Sequence, residues 1–175
     1  MHCISQGQDF GTAYAYLRPQ WHLDFFTLEA RMTYTEAEDA RERAEALDPS
    51  NNHVVNAKLR PRRVWDLFSN RVLLNGVETE SVLRLVVVPV SHVWLAENER
   101  TEVHTPINSF QWPVPLPVDS SLERVRIELL NLGLQYVWLD VLCLRQRGNP
   151  EAEPQRAHEW KLDVRTIGAV HRETG

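Results

Sequence analysis

The chain has 175 residues, of which 43% are hydrophobic, so it is large enough for one ordinary domain with an appendage and is not disordered throughout. Nineteen basic against 24 acidic residues give a formal charge of -5, which excludes a global basic field that would attract nucleic acid or anionic lipid. The longest uncharged apolar run, residues 85–96, is shorter than the roughly 20 residues that span a bilayer, so we expect no membrane span.

Cysteine usage and the start of the chain both indicate the cytoplasm. The two cysteines, Cys3 and Cys143, lie far apart without spaced partners, which argues against a disulfide framework and favours a reducing setting. The chain does not open with a basic segment followed by an apolar one, so secretion is not indicated. We therefore expect an intracellular, cytoplasmic protein.

The first third of the chain predicts one helix. Residues 10–26 are rich in aromatic side chains without clear periodicity, so no element is assigned to them. Thr35 followed by Glu38 fits a capping box, in which the two side chains bind free backbone amides at a helix start. Small and apolar residues then recur at helical spacing until Asp48 and Pro49 end the segment. The pattern predicts a short surface helix that begins at Thr35.

A polar and basic stretch leads into a predicted hairpin. Residues 50–63 have the composition of a linker and end in Arg60–Arg63, the only dense basic patch of the chain. Apolar residues follow, and Asn75 and Gly76 form a turn signal of the kind that joins two short strands. We expect a linker and a hairpin within residues 60–82.

Residues 83–90 predict a strand that ends in polar and aromatic groups. The segment is β-branched and almost continuously apolar, as expected of a strand covered on both faces. Pro89 cannot donate a ladder hydrogen bond, so we expect it at the strand's end or facing an edge. Ser91, His92 and Trp94 follow directly, which places them at the carboxyl end of this strand.

A long connection and a helix separate this strand from the next. Four prolines between residues 106 and 117 make the connection too proline-rich for a regular element. Ser120 and Glu123 form a second capping box, and apolar side chains at helical spacing then mark the buried face of a helix. Gly133 supplies the helix stop.

The segment from Tyr136 to Gln146, with the sequence YVWLDVLCLRQ, predicts a second buried strand. Strand, helix and strand form a right-handed βαβ crossover, which places the two strands side by side and parallel. The polar residues that follow both strands then meet at one edge of the sheet, here called the rim, where open α/β sheets hold ligands. They are Ser91, His92, Trp94, Asp140, Cys143 and Gln146. The alternative is a buried strand that its polar residues merely terminate.

The last predicted element is a helix in residues 156–172. Apolar residues from Trp160 to Val170 recur near helical spacing. Glu159 heads the first turn, where a carboxylate favours the helix dipole. Its functional alternative is a polar group that lies over the rim.

These segments, taken in order, resemble the fungal heterokaryon-incompatibility (HET) domain. Its first strand typically ends in Ser-x-x-Trp-Gly, which Ser91 and Trp94 match, while Leu95 replaces the glycine. Glu159 falls where the family has an acidic helix start, and the resemblance covers about residues 83–172. The second signature is similar to Trp-Ile-Asp-x-x-Cys-Ile-x-Gln and is matched by Trp138, Leu139, Asp140, Cys143, Leu144 and Gln146.

The resemblance implies an α/β fold with a TIR-like, partly parallel sheet and flanking helices, preceded by a mostly helical N-terminal region. We divide the chain into a helical or irregular region at residues 1–59, the linker and hairpin at 60–82, and a HET-like domain at 83–175. Because the family domain continues into further strands, we expect this copy to be incomplete at its C-terminus. HET domains trigger cell death in fungal non-self recognition. The resemblance therefore implies a signalling module that works through protein partners or self-association, without nucleic acid or a cofactor.

Catalysis is the alternative that the same resemblance raises. Some TIR-like domains cleave NAD with a glutamate near a rim pocket. By this analogy Glu159 and Asp140 are the catalytic candidates of a NAD-consuming hydrolase, and Trp94 and Trp138 are stacking surfaces. We expect interaction rather than catalysis, and NAD only under this alternative.

Two further chemistries find less support in the sequence. A Cys143–His92 nucleophile pair is conceivable because thiolate chemistry needs a nearby base, but a cysteine at a strand end is more often a small core residue. We expect no metal site, because the histidines and cysteines lack the close spacing of metal ligands. Neither of the common glycine-rich phosphate loops occurs.

Overall fold

The computed structural model of the chain describes residues 9–21, 23–48, 50–51, 53–56, 58–75, 87–91, 93 and 95–171. Its α-helices are α1 (Phe10–Leu17), α2 (Phe25–Glu45), α3 (Leu122–Asn131), the single turn α4 (Asp140–Cys143) and α5 (Glu153–Val170). Its strands are β1 (Arg63–Asp66), β2 (Arg71–Leu74), β3 (Val87–Val90), β4 (Arg100–Val103), β5 (Val114–Pro117) and β6 (Tyr136–Leu139).

The described strands form a mixed sheet and a separate two-stranded one. The main sheet has the order β2-β1-β6-β3. Strand β1 is antiparallel to β2 and to β6, whereas β3 runs parallel to β6. Strands β4 and β5 form the second, antiparallel pair. The chain is therefore mixed α/β with a partly parallel sheet, which confirms the predicted fold class at this level.

The parallel pair places the two predicted strands side by side. Val87 lies opposite Tyr136, and the register continues to Val90 opposite Leu139, as the crossover predicts. Strand β6 is buried along its whole length, but the residues of β3 are only half-buried. The expectation that this strand is covered on both faces is wrong for β3, because it is the edge strand of the described sheet. Pro89 fits there, since an edge strand needs no donor on its outer side.

The N-terminal helices begin at aspartate caps. Asp9 Oδ1 accepts a hydrogen bond from the Thr12 amide at 2.7 Å and caps α1, and Asp24 Oδ1 caps α2 in the same way. The capping box predicted at Thr35 is wrong. Thr35 lies inside α2, where its hydroxyl donates to the Arg31 carbonyl at 2.8 Å. The residues to which no element was assigned thus form α1 and the start of α2.

Strands β1 and β2 form a hairpin whose turn differs from the predicted one. The turn ends at Asn70, which has a φ of 55°, and its Oδ1 accepts a hydrogen bond from Trp65 Nε1 at 3.0 Å. The turn predicted at Asn75 and Gly76 is wrong. Asn75 lies beyond β2, where its amide donates to the Arg62 carbonyl at 2.8 Å, and Gly76 lies outside the described residues. Because β1 also pairs with β6, the hairpin is part of the main sheet.

The proline-rich connection contains strands, contrary to the prediction of an irregular segment. Pro115 and Pro117 are both in β5, opposite β4. An antiparallel ladder forms its hydrogen bonds at alternate residues, so prolines two apart can occupy the positions that need no donor. The amide of Val118, three residues after Pro115, donates to the Glu99 carbonyl at 3.2 Å and marks the bonded set. Periodic placement thus makes the prolines compatible with a strand.

Helix α3 begins one residue later than its predicted cap. Ser121 caps the helix and accepts a hydrogen bond from the Arg124 amide at 3.4 Å. The Ser120 hydroxyl donates instead to the carbonyl of the last residue of β5 at 3.1 Å, so the capping box predicted at Ser120 is wrong. The predicted stop is confirmed, because Gly133 has a φ of 76° just after the helix end.

The largest apolar cluster surrounds β6. It combines β6 and α4 with Trp65 of β1, Trp112 and β5, and it is closed by α3 and the end of α5. A second cluster lies where α1 and α2 pack on the hairpin: Ala15, Tyr16, Leu28, Met32, Val64, Leu73 and Tyr136. None of the described helices is both long and apolar enough to cross a bilayer.

Candidate functional site

The turn after β6 satisfies much of its own polarity. Asp140 opens α4 and is 9% exposed, and its Oδ1 accepts a hydrogen bond from the Val141 amide at 2.7 Å. Gln146 Nε2 donates to the carbonyls of Asp140 at 3.3 Å and of Leu144 at 2.8 Å. These bonds close the chain back onto the turn. The predicted rim residues Asp140 and Gln146 therefore help to build the turn that follows the central strand.

Cys143 and Trp138 are core residues of the same segment. Cys143 is fully buried, and this burial raises the pKa of its thiol to about 12. A thiol of that pKa is protonated at neutral pH, so it lacks the thiolate that a nucleophile requires. Trp138 is 3% exposed and packs edge-on against His171, with ring centroids 5.8 Å apart. His92, the base of the conceivable Cys143 pair, lies outside the described residues.

Ser91 is the described rim residue that follows β3. It is exposed, and the register of the parallel pair brings it beside Asp140 at the carboxyl ends of the two strands. His92 and Trp94, the other predicted rim residues after β3, lie outside the described residues.

Glu159 lies in the middle of α5 and is almost fully buried between arginines. Helix α5 begins at Glu153, so the prediction that Glu159 heads the first turn is wrong. Its two carboxylate oxygens accept hydrogen bonds from Arg63 at 2.8 and 2.9 Å, and Arg145 Nε lies 3.5 Å away. Burial by itself would raise the pKa of Glu159, but the hydrogen bonds and charge of Arg63, helped by Arg145, outweigh it and lower that pKa.

A second buried carboxylate, one helical turn further along α5, extends the ion pairs. Asp163 accepts two hydrogen bonds from Arg62, at 2.7 and 3.1 Å, and lies 3.4 Å from Arg43 of α2. Arg43 also pairs with Asp39 one turn earlier, at 2.8 Å. The network therefore joins α2, the start of the hairpin and α5.

Trp112 connects this network to the turn after β6. Its ring lies between two guanidinium groups, 5.3 Å from that of Arg63 and 5.0 Å from that of Arg145. Its Nε1 donates to the Val141 carbonyl at 3.2 Å, so the ring is fixed from the side of α4. The indole is 1% exposed and acts as a spacer between the two cations.

Above these ion pairs lies an open cleft of about 730 Å³, within the size range of small-molecule sites. Helices α1 and α2, the hairpin, the loop before β5 and α5 all contribute to its wall. Arg62, Arg63, Trp112, Gln155 and Glu159 form one side of the lining. The cleft is the largest polar concavity found among the described residues.

The structure thus brings together only some of the predicted site residues. Trp138, Asp140, Cys143 and Gln146 share one segment, but they are not among the described residues that line the cleft. Glu159 lines it and is linked to that segment through Arg145, the residue before Gln146.

Sequence reasoning missed the arginines that hold Glu159. Arg62 and Arg63 belong to the one dense basic patch, which was a visible signal, but their carboxylate partners are about a hundred residues away in the chain. Nothing local pairs them. Among the described residues no group of three histidine, cysteine or acidic side chains has the arrangement of a metal site.

Comparisons of the chain with protein-family models, with curated proteins and with solved structures find no match. The function is therefore argued from the residues and their geometry.

Proposed function

We propose that the chain is a HET-like signalling module of fungal non-self recognition, which acts in the cytoplasm through protein interaction. The observation that carries the proposal is a set of exposed aromatic side chains on the N-terminal helices. This set, here called the aromatic surface, consists of Phe10, Tyr14, Trp21, Phe26 and Tyr34.

The aromatic surface is unusually exposed for residues of this kind. Phe10 is 86% exposed, Trp21 79% and Phe26 80%. Phe10 and Tyr14 lie one turn apart on α1, with stacked rings whose centroids are 6.5 Å apart. Large aromatic residues in water carry an unfavourable hydration cost, and their clusters mark surfaces that partners cover. An interaction role is therefore favoured for this part of the chain.

The HET resemblance supplies the kind of module. Its most specific signature, YVWLDVLCLRQ, comprises β6 and the turn after it, with β6 at the centre of the main sheet. The parallel pairing of β3 with β6 is what a TIR-like sheet requires, and it supports extending the proposal to that fold. In this proposal the signature is a scaffold, because Asp140, Cys143 and Gln146 are buried in the turn.

A cell-death assay tests the proposal. Expression of the chain in a filamentous fungus should cause death that is measured by uptake of a vital dye. The double variant Phe10→Ser, Trp21→Ser should lose this effect while its circular dichroism and Tm stay unchanged, because both side chains are exposed. Val118→Ser is the matched control, since Val118 is 62% exposed and lies outside the aromatic surface. A wild-type chain without effect would contradict the module, and a fully active double variant would contradict the role of the surface.

A NAD-consuming hydrolase is the second candidate, favoured by the position of Glu159 in the cleft wall. Both of its oxygens are bound by Arg63, which leaves no free lone pair in the hydrogen-bonding plane for a substrate hydroxyl. We therefore place this function second. Incubation of the purified chain with NAD, followed by measurement of released nicotinamide, tests it: turnover that Glu159→Gln abolishes would favour the hydrolase.

A further inference from the structure

Two buried polar groups in the cleft wall have no hydrogen-bond partner in the structure. Asn108 is 3% exposed, and its Nδ2 donates to the Trp112 carbonyl at 2.7 Å, but its Oδ1 is unpartnered. Thr12 of α1 is 6% exposed, and its hydroxyl is likewise unpartnered. Both residues line the cleft. A buried polar atom without a partner is costly, so two of them facing one cleft indicate groups that a ligand completes.

The charges of the cleft favour a ligand that donates hydrogen bonds. Its two arginines are already engaged, Arg63 with Glu159 and Arg62 with Asp163. Glu36 of α2 also lines the cleft, and it has no ion-pair partner among the described residues. The unused groups are therefore the Glu36 carboxylate, the amide oxygen of Asn108 and the Thr12 hydroxyl, all of which accept hydrogen bonds.

The loop that carries Asn108 is also strained. Ser109 and Phe110, the two residues after it, have φ angles of 55° and 58°. Side chains rarely adopt this left-handed region, and such residues cluster at ligand sites, where the surrounding structure holds them. Both residues line the cleft beside Asn108.

We propose that the cleft between the N-terminal helices, the hairpin and α5 binds a small organic cation that carries several N–H donors, of the alkyl diamine or polyamine class. One ammonium group pairs with Glu36, and N–H donors reach Asn108 Oδ1 and Thr12 Oγ1. The site is independent of the aromatic surface and of the proposed signalling function, since the aromatic residues named above are not among its lining residues.

Calorimetric titration with a matched pair of dications tests the proposal. Hexamethylenediamine has two ammonium groups with N–H donors, whereas hexamethonium has the same carbon spacing and charge but no N–H. We expect saturable one-to-one binding of the diamine and binding of hexamethonium that is weaker by about tenfold or more, the effect of losing charge-assisted hydrogen bonds. Equal binding of both dications, or no saturable binding of the diamine, would overturn the proposal.

Three variants locate the site. Glu36→Gln and Thr12→Val should each weaken diamine binding, by about tenfold for Glu36→Gln. Thr12→Val should leave the Tm of the free chain unchanged or higher, because the hydroxyl that it removes is unpartnered. Glu29→Gln is the matched control, since Glu29 is half-buried on the same helix but does not line the cleft. An equal loss of binding in Glu29→Gln would mean non-specific attraction to an acidic chain and would overturn the site.

Discussion

Glu159 is ionised and held by arginines, and this determines how a substitution there acts. Removing its charge leaves Arg63 and Arg145 buried without their carboxylate partner. We expect Glu159→Gln to lower the free energy of unfolding by about 3–5 kcal/mol, the usual effect of breaking a buried ion pair from one side. Urea unfolding followed by tryptophan fluorescence measures the change.

Glu153 supplies the control for this prediction. It pairs with Arg156 on the same helix, at 2.6 Å, but on the solvent side, where ion pairs contribute little. Glu153→Gln should therefore change the unfolding free energy much less than Glu159→Gln. Equal effects of the two substitutions would mean that the buried pair contributes no more than a surface one.

Cys143 should be inert in the folded protein. Its side chain is fully buried and burial raises its pKa to about 12, so at pH 8 the thiol is protonated and inaccessible. In a Cys3→Ser background, which leaves Cys143 as the one cysteine, a disulfide reagent should label no thiol in buffer and one thiol in urea. Rapid labelling of the native protein would revive the nucleophile hypothesis.

At the scale of elements, the hairpin positions Arg62 and Arg63, and Asn70 fixes its turn. Asn70→Ala should lower the unfolding free energy by about 1–3 kcal/mol, because it leaves the buried Trp65 indole without an acceptor and places alanine at a positive φ. Asn70→Gly should cost less, since glycine tolerates that φ. Thermal and urea unfolding measure both variants.

The neighbouring residue offers a sharp control for the turn. The Ser69 hydroxyl is buried without a hydrogen-bond partner in the structure, so Ser69→Ala should be close to neutral. If Ser69→Ala were as damaging as Asn70→Ala, the turn rather than the Trp65 hydrogen bond would be responsible.

The elements that sequence predicts well are those that local patterns specify. The apolar run of β6 and the positive-φ glycine after α3 are visible in the sequence, and the handedness of crossovers predicts that β3 lies beside β6. The helices α1 and α2 escape prediction because their aromatic residues face water, which hides the apolar period. Caps are ambiguous where two hydroxyls are adjacent, as at Ser120 and Ser121.

The site was predictable only as a list of residues. Glu159 was a candidate from its place in the family pattern, yet its principal partner, Arg63, is 96 residues away, and no local spacing reveals such a pair. Asn108 and Thr12 carry no signal at all, because what distinguishes them is burial without a partner. Such a feature exists only once the fold has brought distant segments together.

At the scale of the whole molecule, α1 is fastened to the sheet by charged contacts at both ends. Asp9, its cap, pairs with Arg71 of β2 at 2.8 Å. Arg18, just after the helix, donates to Asp66 at 3.0 Å and to the Tyr136 hydroxyl at 2.8 Å. The second contact is the more buried, because Asp66 has no exposed surface.

The Asp9 pair makes the attachment of α1 sensitive to acid. Hydrogen bonding to Arg71 lowers the pKa of Asp9 to about 2. Because the folded pKa lies below the unfolded one, the contribution of the charge is complete above about pH 4 and is lost as the pH falls through about 2. The pair is partly exposed, so we expect Asp9→Asn, which keeps the cap oxygen, to cost roughly 0.2–1 kcal/mol at pH 6.

The measurement is the difference in unfolding free energy between the wild-type chain and Asp9→Asn as a function of pH. It should be constant between pH 6 and 4 and should shrink as the pH falls towards 2. A difference that does not change with pH would mean that the substitution acts through the cap and not through the charge.

The central position of β6 has a consequence for how the chain folds. Of the described strands β6 is the last to be synthesised, yet it lies between β1 and β3 and provides the pairing that joins them. The hairpin can form early, but the inner edge of β1 stays open until Tyr136–Leu139 is present, and pairing across such a separation is slow. A nascent chain stopped before Tyr136 should therefore carry an unpaired edge and be prone to association with other chains.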